Sequence, residues 1–456
     1  MAQFTGSLVS YPARVSFVAY VVAILVGGLV LTLPFARQPD RPPVSLVDGV
    51  FTATSACCVT GLSVRSTRHD FSFLGQAVIL GLIQLGGLGI MTITTLLSFH
   101  MGGQATLRQR AVVAETLGIK SGRDLRWVTA AVLLTVLVAE ACGFGLLLWA
   151  DWGSAPAAEV AWKSLFHAVS AFCNAGFALH DQNLVPDAGR VSINLVICGL
   201  IIVGGLGFPV IFDVVSRLRR REEFWERLHL QTKMMLIGTA ALLAFGAASF
   251  WALEWEEAIA GEPLVTKLLM GLFHSTTCRT AGFNTVDYAA LSSATLFLAI
   301  ILMAIGAGPC STGGGFKVST FMTLVASAWS NFRGWKHVNF FRRTIPEAAV
   351  ERATATALLF AAVAIAALVA MLVVESSGSV AARPRWFLEA LFECISALGT
   401  VGLSTGITPS LTDPGKLVLV GLMLLGRLGP ITAAVALARE RRSYQPRFPE
   451  EEPLIG

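Results

Sequence analysis

The chain has 456 residues, 54% of them hydrophobic and only 14% charged, with a mean hydropathy of +0.68. A soluble globule carries about a quarter charged residues, so these totals exclude an ordinary soluble domain and describe an integral membrane protein. The formal net charge of +5 is a modest excess that gives no reason to expect a nucleic-acid partner.

The apolar stretch 15–33 is long enough to span a bilayer and ends in Pro34 without a small-residue cleavage site. It is therefore expected to be the first membrane helix, not a secretory signal. A proline-rich loop (Pro39, Pro42, Pro43) leads to a short apolar segment from Asp48, then to a turn at Val59, Thr60, Gly61, then to a second span from about Phe73.

The same order recurs three times. The turns are Asn174, Ala175, Gly176, then Thr280, Ala281, Gly282, then Thr400, Val401, Gly402. A phenylalanine precedes each glycine by 10, 10, 9 and 10 residues: Phe51, Phe166, Phe273 and Phe392. A glycine-broken apolar run follows each turn, at 85–89, 203–207, 305–308 and 425–429, and starts its glycines 25, 28, 24 and 24 residues further on.

Such periodicity means one structural unit used four times. The expected architecture is a single all-α membrane domain over 1–456 with repeats at 14–100, 126–217, 232–329 and 348–439 and a cytoplasmic tail at 440–456. Each repeat supplies two membrane helices around a re-entrant pore helix, giving eight transmembrane helices and four half-spans in pseudo-fourfold arrangement about one pore. A segment of 10 to 12 apolar residues is too short to cross, and non-helical backbone survives at membrane depth only where it lines water or is buried in protein.

Sidedness follows from the basic residues. Twenty Lys and Arg fall in the connections between repeats and in the tail, among them Arg108, Arg220, Arg333 and Arg442, against eleven on the half-span side. The excess puts these connections and both termini in the cytoplasm.

Half-helices descending from the outer face point their C-terminal ends at the membrane centre, each presenting about half a negative charge, which favours a cation. Asp48, Glu159, Glu262 and Glu389 at the outer starts complement the opposite ends, and helix capping is the expected account of all four. Glycine at each turn admits backbone angles closed to other residues, so carbonyl oxygens can face the axis and replace the hydration shell of an ion about the size of K⁺. Tight helix packing is the competing account of a lone glycine, but four turns in register exceed it.

Eight cysteines (Cys57, Cys58, Cys142, Cys173, Cys198, Cys278, Cys310, Cys394) show neither a CxxC pair nor metal-ligand spacing, and each reads as a small buried hydrophobe. His167 and His274 each follow the Phe of a half-span, which suggests packing or hydrogen bonding behind the turns. Glu140 lies within a span, where it either carries function, snorkels or pairs across a subunit interface.

The four turns, with AFCNAGF at 171–177, CRTAGFNT at 278–285 and GTVGLSTG at 399–406, resemble the Trk/Ktr/HKT superfamily of potassium transport proteins, and its KtrB branch more than its TrkH branch. The resemblance implies K⁺ as the transported ion, with Na⁺ as a second candidate and no organic cofactor in the chain. It assigns the ion-binding filter to Val59, Thr60, Gly61; Asn174, Ala175, Gly176; Thr280, Ala281, Gly282; and Thr400, Val401, Gly402. It implies a gate of Arg427, an electrostatic barrier inside the last span, together with an intramembrane loop at 306–317. The loop's named members are Gly306, Gly308, Ser311, Thr312, Gly313, Gly314, Gly315 and Lys317, with Cys310 where glycine is usual. It also implies an inner-membrane homodimer on a cytosolic ring of nucleotide-binding RCK subunits of KtrA or TrkA type, with ATP and ADP acting on the ring.

The loop is not a nucleotide phosphate loop, because Phe316 separates the last glycine from Lys317 and Val318 follows. An alternating-access carrier for a small solute shares broken helices and repeats, though usually two repeats, and a less selective Na⁺/K⁺ transporter is a second alternative. A membrane enzyme would need a nucleophile and base, a metal cluster or a cofactor loop, and the sequence offers none.

Overall fold

The computed structural model describes residues 12–89, 125–218, 224–376 and 378–429. Every repeat is built from a long leading helix, a shorter half-helix and a trailing helix. The leading helices are Pro12–Thr32, Leu125–Ala150, Leu230–Glu254 and Glu347–Val374. The half-helices are Leu46–Cys57, Ala157–Phe172, Leu264–Thr277 and Trp386–Leu398, and the trailing helices begin at Phe73, Val191, Ser293 and Asp413.

Length separates the two kinds. Leading helices of 21 to 28 residues reach about 30–40 Å at about 1.5 Å per residue, enough for the hydrocarbon core. Half-helices of 12 to 16 residues fall short of it, though three of the four run longer than the 10 to 12 residues read from the sequence. Three leading helices, from Thr129, Leu230 and Glu347, are long and apolar enough to cross, yet at most 28% of their apolar windows is buried inside the protein. Leu134, Leu137, Leu358, Ile365 and Val369 stand outward on them, as side chains meeting lipid do.

The repeats close on themselves. Each trailing helix packs against the half-helix of the next repeat, and the fourth trailing helix packs against the first half-helix. Phe51, Phe166, Phe273 and Phe392 are wholly buried along these contacts, which accounts for their recurrence. Seven of the eight cysteines keep out of full exposure, but Cys142 lies exposed and departs from the buried-hydrophobe expectation.

The second trailing span differs from expectation. Read as continuous from the sequence, it bends by 99° between Val191–Leu206 and Phe208–Arg217. Gly207 has a left-handed φ of 93°, Pro209 brings no N–H, and the Phe208 N–H leaves the helix to donate to the Cys310 carbonyl at 3.0 Å. Gly89 and Gly429 end the first and fourth trailing helices with φ of 78° and 81°. The remainder of those repeats (90–100 and 430–439), the tail, and Arg108, Arg110, Lys120, Arg123, Arg219, Arg220 and Arg221 lie outside the described residues.

Carboxylates fasten the helix ends on the half-helix side. Glu254, closing the third leading helix, accepts from the Ser292 hydroxyl at 2.7 Å and backbone at 3.0 Å, and Glu375 does the same for Thr412 at 2.7 and 2.8 Å. Those two hydroxyls cap their trailing helices, so each carboxylate locks one helix end to the start of another. Asp151 takes Arg190 at 2.6 Å and Lys163 at 3.0 Å in the second repeat.

Asp48 is not a helix cap, since Ser45 fills that position. It bridges Lys416 of the fourth trailing helix at 2.8 Å and Arg65 at 3.0 Å, joining the first repeat to the last. Glu159 and Glu389 lie in the first turns of their half-helices, where the dipole favours them, and also pair with Arg68 and Arg383. Asp48→Asn is expected to destabilise the protein by about 3 kcal/mol, because it leaves a nearly buried lysine with only the exposed Asp413 carboxylate, 3.7 Å away. Thermal unfolding of detergent-solubilised protein measures this, and an unchanged midpoint would show that the bridge contributes nothing.

Candidate functional site

The four half-helices end on one backbone figure. After each, a non-glycine residue enters the left-handed region: Val59 (φ 55°), Asn174 (58°), Thr280 (65°) and Thr400 (50°). Two residues later the glycine does so too: Gly61 (103°), Gly176 (71°), Gly282 (76°) and Gly402 (90°). Left-handed backbone is a genuine outlier for β-branched side chains, so its appearance at Val59, Thr280 and Thr400 marks a conformation imposed by the surroundings.

These turns meet at a common centre. A Cβ placed on Gly61 would stand 2.6 Å from the Ala175 oxygen, on Gly176 2.8 Å from the Ala281 oxygen, and on Gly282 2.7 Å from the Val401 oxygen. On Gly402 it would collide with the Thr60 oxygen, which closes the circle. The carbonyls of the four middle residues, Thr60, Ala175, Ala281 and Val401, therefore crowd one axis, with each glycine leaving room for its neighbour's oxygen. All eight non-glycine members of the turns are 0% exposed.

A hydroxyl steadies each turn, a feature the sequence reading passed over. Ser55 accepts the Gly61 N–H at 3.0 Å and Ser396 accepts the Gly402 N–H at 3.1 Å. Ser170 and Thr277 donate to the Phe177 and Phe283 carbonyls at 2.8 and 2.5 Å. The signal was present: the hydroxyl lies six residues before the glycine in three repeats and five in the third, which is one residue shorter throughout. His167 accepts the Leu179 N–H at 3.1 Å and His274 sits 2.9 Å from the Tyr288 hydroxyl, so both brace the turns from behind.

Beneath the turns runs the loop that interrupts the third trailing span between Ala304 and Val318. Its N–H groups bond within the loop or across to the second and fourth trailing helices: Gly306 to Phe316 at 2.7 Å, Gly308 to Gly205 at 2.8 Å, Thr312 to Gly204 at 3.2 Å and Gly315 to Gly426 at 3.3 Å. This satisfies the polar backbone that mid-membrane burial demands. Cys310 has φ 54°, which explains why glycine suits the position.

The loop also touches the turns. Thr312 donates to the Phe172 carbonyl at 3.1 Å and meets the Asn174 side chain at 3.2 Å, while the Gly314 N–H donates to the Thr400 hydroxyl at 3.1 Å. Lys317 bends back to donate to the Gly313 and Gly314 carbonyls at 2.8 and 3.1 Å, and Ser311 donates to the Gly308 carbonyl at 2.7 Å.

Arg427 joins this assembly from the last trailing helix. Its guanidinium donates to the Thr312 carbonyl in the loop, to the Gly86 carbonyl at the end of the first trailing helix, and to the Tyr20 hydroxyl at 3.3 Å. The buried cation is thus paid for by a carbonyl cluster and not by a carboxylate. Glu140 finds its partners inside the chain, in place of a second subunit: Gln84 donates to it at 3.2 Å and the Cys173 sulfur lies 3.8 Å away.

Comparison with known proteins fits this arrangement. A family model described as "Cation transport protein" (TrkH) matches residues 12–445. The chain is 37% identical to Ktr system potassium uptake protein B of Vibrio alginolyticus, over 97% of this chain and 94% of that protein. It is 35% identical to the Bacillus subtilis protein of the same description (98% and 97%) and 34% identical to the potassium/sodium uptake protein NtpJ of Enterococcus hirae (98% and 97%). In fold it is similar to the potassium transporter TrkH of Vibrio parahaemolyticus, with a TM-score of 0.70 at 19% identity over 92% of this chain and 83% of that one.

Proposed function

We propose, from the premise that the chain belongs to the TrkH/Ktr family of cation transport proteins, that it is a potassium-uptake subunit conducting K⁺ down its electrochemical gradient through one pore per chain. The family is one of transporters, not enzymes. The observation that carries the reading is the closed circle of Thr60, Ala175, Ala281 and Val401 carbonyls at the glycine turns.

The proposed filter comprises the twelve turn residues at 59–61, 174–176, 280–282 and 400–402. Carbonyls there replace water around a dehydrated ion, and the C-terminal ends of four half-helices add negative potential. One glycine per turn makes a short filter, and Na⁺ is the second candidate ion, in keeping with the potassium/sodium description of the Enterococcus relative. Below the filter, Arg427 and the 306–317 loop form the gate, which a cation passes only when the guanidinium and the loop shift together.

The same reading places eight spans and four half-helices in the cytoplasmic membrane with both termini inside. It assigns the working form to a homodimer on a cytosolic nucleotide-binding ring of RCK type. Relatives described as components of a Ktr system support the partnership.

Purified protein in liposomes loaded with K⁺ is expected to take up ⁸⁶Rb⁺, with external K⁺ competing far better than Na⁺. Uptake no greater than that of empty liposomes would overturn the proposal, and equal competition by Na⁺ would overturn its selectivity.

A further inference from the structure

The second turn has a tie that its three counterparts lack. Asn183 lies seven residues beyond Gly176, where the other repeats carry Arg68, Ala289 and Pro409. Its Nδ2 donates to the Gly176 carbonyl at 3.2 Å, whereas among the described residues no side chain donates to the carbonyl of Gly61, Gly282 or Gly402.

Asn183 is itself anchored for this contact. It is half-buried and left-handed (φ 52°), a conformation that asparagine adopts more readily than most residues. Its Oδ1 accepts the N–H of Asn284, two residues beyond Gly282, at 3.4 Å, and the Leu184 N–H donates to the Asn284 carbonyl at 3.0 Å. A backbone N–H can only donate, so it keeps the amide oxygen on its own side and leaves the amino group for Gly176. The Asn183 side chain thus fastens the second turn to the third.

On the conduction reading, on which this inference rests, the glycine carbonyls follow those of Thr60, Ala175, Ala281 and Val401 along the ion's path. A carbonyl oxygen has two lone pairs, so Gly176 can accept from Asn183 with one and meet an ion with the other. An oxygen held in this way cannot swing inward to close on a smaller ion. The pin suits an ion the size of K⁺ and leaves Na⁺ short of close coordination.

We infer that Asn183 is a positioning residue for ion selection: its side chain pins the Gly176 carbonyl and so widens the preference for K⁺ over Na⁺.

The test compares two variants of the full chain, both of residue types that tolerate the φ of 52° at this position. Asn183→Gly removes the side chain, whereas Asn183→Asp keeps an oxygen toward Asn284 but has no amino group to donate. In both, the Na⁺ to K⁺ concentration ratio that gives equal competition against ⁸⁶Rb⁺ uptake into liposomes is expected to fall roughly fivefold, the effect of one hydrogen bond. A second readout does not depend on transport. In detergent at fixed ionic strength, the excess of melting temperature in K⁺ over Na⁺ should shrink in both variants, whereas a bond that served folding alone would lower melting equally in the two salts. A competition ratio kept in the aspartate variant would assign the effect to the Asn284 contact, and a ratio kept in both variants would leave Asn183 with folding alone; either result overturns the inference. Failure of the conduction reading shows elsewhere, in the unaltered protein, as uptake no greater than that of empty liposomes.

Discussion

Gly402→Ser is expected to cut Rb⁺ and K⁺ uptake at least about tenfold and to erase discrimination against Na⁺, a barrier change of about 1.4 kcal/mol or more. The glycine holds φ 90°, a conformation that costs an L-residue about 1–2 kcal/mol. Its added Cβ would also occupy the place of the Thr60 oxygen. That oxygen belongs to the backbone of the first turn and has no side-chain freedom with which to give way, so a substitution in the fourth repeat deforms the first. Gly421→Ala is the control: it lies on the trailing helix of the same repeat, with no atom within 4 Å of a new Cβ. Tracer uptake and competition in liposomes measure both variants. Unchanged selectivity in the serine variant would remove the turns from the conduction path.

The turns were legible because glycine and a leading phenylalanine recur at fixed spacing, and packing explains both: Phe392 fills the interior while Gly402 yields space to an oxygen. The left-handed backbone at Val59, Thr280 and Thr400 was not legible, since intrinsic propensity argues against it and only the ring of neighbours imposes it. The 99° bend at Gly207 was missed for a related reason. Its sequence, VGGLGFP, differs little from the runs of the other repeats, and the decisive bond, Phe208 N–H to the Cys310 carbonyl, joins residues about a hundred positions apart.

Charged partners were the least visible part. Asp48 and Lys416 stand at opposite ends of the chain, yet the closed circle of repeats makes them neighbours at 2.8 Å. Arg279 looked like one more basic residue on the half-span side, because nothing in the local sequence shows that its guanidinium is buried against a loop from the following span. Periodicity discloses which segments are equivalent, whereas these pairs arise where equivalence breaks, in contacts one repeat makes and the other three do not.

Arg427→Ala is expected to raise uptake about tenfold or more in the absence of any partner. Two effects act in the same direction. A fixed positive charge below the filter repels cations in transit, by up to about 4 kcal/mol at 4 Å for an effective dielectric constant near 20. The guanidinium also tethers the Thr312 carbonyl of the loop to the Gly86 carbonyl and the Tyr20 hydroxyl, so its removal frees the loop. Arg427→Lys separates the two, because it keeps the charge but cannot span three acceptors. Uptake that stays low in the lysine variant assigns the barrier to charge, and uptake matching alanine assigns it to the tether. Alanine takes the donor from the Thr312 carbonyl, at about 1–3 kcal/mol, while the Gly86 carbonyl keeps the Gly89 N–H at 3.1 Å, so a lower melting temperature should accompany the faster flux. A folded alanine variant that conducts no faster than the unaltered protein would take Arg427 out of the gate.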